Sequence, residues 1–239
     1  IVAPSNPFDY VGLMNTALAC NDPVVVLEHV DLYTSSGMGP VEDYDYYLPV
    51  GKAALRRSGD DVTIISYLAM TTYVLQAIDE VNSVDADVID LRWLDRASID
   101  WDTIGESTKT TNNVLIAEQG ALGTSYGGWL ADEIQRRFFD WLDQPVQRVT
   151  GGEASPSISK VLERAAIAQD EEVAHADGDL EEHAHEEAER LERAQVRDDA
   201  QPEERRAEAA RHAGDDDGPS RLVHGGAAQR APAGRCSRT

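Results

Sequence analysis

The feature that most constrains this chain is an alternation, between residues 61 and 151, of short apolar runs with segments of helical period. DVTIISY (61–67), ADVIDLR (86–92), NVLIAE (113–118) and PVQRVTG (145–151) have strand length and are apolar through most of it. Between them, Val74, Ile78 and Val81, then Leu130, Ile134 and Phe138, recur at helical spacing. Strands without a polar face, alternating with helices, predict an α/β fold with a mostly parallel sheet covered on both faces. Ser155 and Pro156 then open a helix through Val161, Leu162, Ala165 and Ala166.

Upstream, Asn6 and Pro7 form a cap and first-turn pair, and Val11, Met14 and Leu18 mark a helix face. Pro23 stops that helix, and VVVLE (24–28) predicts a strand. IVAP at the start also reads as a strand and its end, so the sequence reads as beginning inside a domain. TSSGMGPVEDYDY (34–46) mixes Gly, Pro, Ser and acids without a period and predicts a connector, its acids solvated.

Residues 171–239 lack Phe, Tyr, Trp, Ile, Met, Lys and Asn, and hold 18 acids, 10 Arg, 14 Ala and six Leu or Val. Such a stretch cannot bury enough apolar surface to offset its ordering entropy, so no domain is expected there. The missing residue types are mostly those of A/T-rich codons, as a high-GC gene read out of frame after about residue 172 would give.

The net charge is −23, and both parts are acidic, so nucleic acid and anionic membrane are not expected partners. No run of about 18 apolar residues predicts a membrane span, no signal-peptide pattern appears, and Cys20 and Cys236 suggest no pairing. The expected compartment is the cytoplasm.

IVAPSNPFDYVGLMNTAL, NDPVVVLEH, LPVGKAALRRSGDDVTIISY, DVIDLR, NVLIAEQGALGTSYGGWLADEI and PVQRVTGGEASPS follow one another in an order and spacing that resemble a known family. It is the β subunit of the thiamine-diphosphate-dependent decarboxylase component of 2-oxo acid dehydrogenase complexes, the pyruvate, branched-chain and acetoin enzymes. The resemblance covers about 170 of the 239 residues. It implies that residues 1–33 end a pyrimidine-binding domain, 34–46 connect, and 47–170 form a transketolase C-terminal domain; 171–239 have no counterpart in it and are expected, from composition, to be a disordered or solvated-helix tail without a domain. WLDRASIDWDTIG departs from the family by about two residues and by lacking a proline.

The implied activity is oxidative decarboxylation of a 2-oxo acid on thiamine diphosphate, with Mg²⁺ in an α subunit, and acyl transfer to lipoyl-lysine of the acyltransferase component. By the same resemblance this chain serves α₂β₂ assembly and acyltransferase docking, holds no catalytic or cofactor-binding residue, and is inactive alone. A transketolase or deoxyxylulose-phosphate synthase C-terminal region, or a non-enzymatic α/β interaction module, are the alternatives. The resemblance also implies a structural K⁺ held by carbonyls of Ala17, Leu18, Cys20 and Asp22 in the turn after the first helix.

Other candidates have structural readings. Glu28 and His29, neighbours on a strand, point to opposite faces and cannot grip one substrate atom. The glycines of EQGALGTSYGG (118–128) match no nucleotide pattern and suit tight helix–sheet packing. Ser157 and Lys160 have S-x-x-K spacing without companion motifs, and His183 and His185, two apart, do not share a helical face. Trp93, Trp101, Trp129, Phe139 and Trp141 exceed the needs of one small core and are candidate interface residues.

Overall fold

The computed structural model describes residues 1–152 except Met38, Val41 and Asn82, together with 159, 163, 164, 166–168 and 173. Ser157, Lys160, His183, His185 and the start of the expected helix at Ser155 lie outside the described residues. Helix α1 is Pro7–Ala19, and a short 3₁₀ helix covers Val30–Thr34. Strand β1 is Ala54–Arg57, β2 is Val62–Ser66, α2 is Ala69–Val81, and β3 is Ala86–Asp90. Helix α3 is Trp101–Thr111, β4 is Val114–Ala121, α4 is Tyr126–Phe138, and β5 is Gln147–Gly151.

The strands form one sheet in the order β1-β3-β2-β4-β5, parallel throughout except that β1 runs antiparallel to β3. Alternation along the strands divides the apolar residues between two faces. Ile64 packs with Met70, Val74 and Ile78 of α2, whereas its neighbour Ile65 packs with Ile104 of α3 and Leu130 and Ile134 of α4. The α/β fold with helices on both faces is therefore the observed one. Among the described residues no helix is long and apolar enough to cross a membrane.

Two elements escaped the sequence pattern. Strand β1 reads ALRR, with one large aliphatic, and its Arg56 turns inward to pair with Asp9 and Asp90. Helix α3 buries hydroxyls where an apolar stripe would normally lie: Ser107 donates to Asp87 at 2.5 Å, and Thr63 meets Ser107 and Thr111 at 2.6 and 2.7 Å. Asn112 ends α3 in a left-handed conformation at φ 58°, which a short polar side chain tolerates.

Three corrections follow, two of them in the first fifty residues. VVVLE is not a strand, nor is IVAP: Val2 bridges Val26 and Trp93 singly, with Val2 N–H donating to Val25 O and Leu27 N–H to Val2 O. A ladder cannot continue there because Pro4 has no amide to donate. Helix α1 starts as expected, with Asn6 Oδ1 accepting the Asp9 amide at 2.9 Å, but buries another face. Asp9, Gly12, Leu13 and Thr16 point inward, while Leu18 is 77% exposed. The reason is electrostatic: Asp9 takes Arg56 and Arg92, while Thr16 donates to Leu48 O at 2.7 Å. Finally, Trp93 is not spare for an interface, being 4% exposed in a small cluster with Val2 and Leu13.

Candidate functional site

In open parallel sheets ligands bind beyond the carboxyl ends of the strands, where the winding reverses. Here the chain leaves β2 for β3 and returns to β4 on the other side, so that place lies between the ends of β2 and β4. The molecule fills it with its own side chains. Glu118 near the end of β4 is fully buried and faces the first turn of α4. Its Oε1 accepts from Ser125 Oγ at 2.7 Å and from Arg148 Nη2 at 3.0 Å. The Gly127 amide donates to both carboxylate oxygens, at 3.0 and 2.8 Å, and Tyr67 donates to Oε2 at 3.0 Å.

A helix N-terminus attracts anions, and here an internal carboxylate takes the place a phosphate would occupy. Gly127 makes this possible, because a Cβ there would stand 2.2 Å from Glu118 Oε1. At Gly120 a Cβ would lie 2.7 Å from that of Ser125. Gly120 and Gly127 thus serve close packing, around a carboxylate that the sequence did not single out, whereas a Cβ at Gly123 would meet nothing. Burial pushes the Tyr67 hydroxyl above its ordinary range, and the Glu118 charge and hydrogen bond add to it, so Tyr67 stays a donor. With both oxygens saturated, Glu118 has little capacity left to take a proton from a substrate.

Glu28 and His29 take different partners, although the stretch that carries them is not the strand expected. Glu28 accepts from Tyr10 at 2.6 Å and from Tyr33 at 2.7 Å. His29 Nε2 meets Gln119 Oε1 at 2.6 Å, and its Nδ1 accepts from the Asp31 amide at 3.2 Å. Those partners place the proton on Nε2. Gln119 then donates to Ala168 O at 3.4 Å, so His29 ties the arm after α1 to β4 and to the segment beyond β5.

In the turn after α1 the Cys20 amide donates to Thr16 O, ending the helix. Ala17 and Leu18 lie in its last turn, where carbonyls have no following helical amide, and Cys20 and Asp22 lie just beyond, all with backbone oxygen of the kind a hard cation takes. Among the described residues no group of three or more His, Cys, Asp or Glu is placed to hold a metal.

On the α3–α4 side the large aromatics form a graded surface. Trp101 and Trp129 are partly buried, edge to face at 6.1 Å, with Arg137 over Trp101 at 4.2 Å and Arg96 over Trp129 at 4.8 Å. Phe139 and Trp141 are 67% and 49% exposed. Burial raises the Tyr126 hydroxyl, whose oxygen is enclosed without a hydrogen-bond partner.

Sequence comparison places the chain in a family. The family model for the transketolase C-terminal domain matches residues 51–173, and the chain belongs to that family. Among curated proteins, the pyruvate dehydrogenase E1 component subunit beta of Cyanidium caldarium is 34% identical over 175 residues, 72% of this chain and 52% of that protein. The protein of the same name from Rhizobium meliloti is 33% identical over 178 residues, 74% of this chain and 38% of that one. That of Porphyra purpurea is 34% identical over 178 residues, covering 74% and 53%. The chain thus spans about half the length of these relatives, or less. A solved split-gene transketolase, an inactive β4 tetramer, has a TM-score of 0.45 and 25% identity over 59% of this chain and 44% of its own.

Proposed function

We propose that this chain acts as part of the β subunit of a 2-oxo acid dehydrogenase decarboxylase component, and that residues 47–170 serve assembly. The observation that carries the assembly role is the filled carboxyl edge: Glu118, Tyr67, Ser125 and Arg148 occupy the fold's usual ligand place. What stays open are aromatic surfaces, Phe139 and Trp141 foremost, and exposed aromatics are the residues that interfaces use. The partners in this reading are an α subunit, in an α₂β₂ component, and the acyltransferase that carries lipoyl-lysine.

In the complete enzyme thiamine diphosphate, with Mg²⁺ in the α subunit, supplies the electron sink for decarboxylation. This chain's residues hold neither. Their part is to fix the sheet, exclude water from its carboxyl edge and present the α3–α4 face. In the turn after α1, the carbonyls of Ala17, Leu18, Cys20 and Asp22 are the residues that would hold a structural K⁺, which would brace the helix end. The cytoplasm suits the acidic composition.

Binding of the chain to a matching α subunit and to the acyltransferase docking domain, measured by calorimetry, tests the proposal. Trp101→Ala and Trp129→Ala should each weaken one of these, and so should Phe139→Ala, whose exposed side chain has little role in folding. Unchanged assembly in all three variants overturns the α3–α4 face as the contact.

A further inference from the structure

We draw no further inference here: the strongest candidate, the aromatic α3–α4 surface patch where Arg96 and Arg137 lie over Trp129 and Trp101, belongs to the assembly reading already proposed, with Arg137 paired to Glu133 on its own helix and nothing in the structure showing what covers the patch.

Discussion

Glu118 shows how much one buried carboxylate can organise. Replacing it with Ala leaves the Arg148 guanidinium, 17% exposed, without its counter-charge and the Gly127 amide without its acceptor, at a cost of about 3–5 kcal/mol. Glu118→Gln keeps the shape but removes the charge, and should cost about 1–3 kcal/mol. Gly127→Ala drives a methyl into the same carboxylate and should destabilise comparably to overpacking, about 1–3 kcal/mol. Urea unfolding of the three variants checks the ranking, and a Glu118→Ala chain as stable as the parent would remove the carboxylate from its central role. The sequence carried half of this. Its glycines announce a tight strand-to-helix turn, but Glu118 stands out only once Tyr67 and Arg148, distant in sequence, meet it. Glu28 is legible in the same partial way: adjacency separates it from His29, while the two tyrosines that hold it come from α1 and the 3₁₀ helix. Its carboxyl lies below the ordinary value of 4.5, so its contribution is present above that value and is lost as pH falls through the lowered one. Converting Tyr10 and Tyr33 together to Phe should return the Glu28 titration, followed by carboxyl NMR, to about its ordinary position.

At the scale of elements, the sheet and the segment before it are joined by charge as much as by apolar packing. Asp9 of α1 meets Arg56 of β1 and Arg92 beyond β3, while Arg56 also reaches Asp90 at 2.7 Å, and Ser5 donates to Asp90. The clamp explains why α1 buries a polar face, and why the apolar stripe through Leu18 misled. Helix period reports which residues could face a core, but not that an ion pair from another element will turn the helix. The same limit hid β1 and α3, whose inner faces are arginine and hydroxyls. The family match begins at residue 51, yet the folding unit begins earlier. Asp9→Ala strands the largely buried Arg92 guanidinium and leaves Arg56 with Asp90 as its counter-charge, so it should destabilise by about 3–5 kcal/mol. A chain cut to residues 51–173 should lose at least as much, since Trp93 would also be bared. Guanidinium unfolding of residues 1–173 beside 51–173 decides this, and equal midpoints would show the first fifty residues to be passengers.

At the scale of the whole molecule, the described residues place no free acid, base or nucleophile at the carboxyl edge of the sheet, where this architecture usually works. Glu118 is saturated, Tyr67 is held protonated by burial, and Arg148 is spent on Glu118, Ser125 and Leu122 O. Function lives in the site and not in the sheet, and on the assembly reading proposed above this chain contributes positioning. The isolated chain of 239 residues should therefore release no CO₂ from pyruvate or a branched-chain 2-oxo acid when thiamine diphosphate and Mg²⁺ are supplied. Neither addition should raise its unfolding temperature, since a ligand that binds the native state stabilises it by mass action and one that does not bind leaves it unmoved. Both readouts matter: a thermal shift without turnover would place cofactor-binding groups in this chain, and turnover by the chain alone would overturn the assembly reading outright.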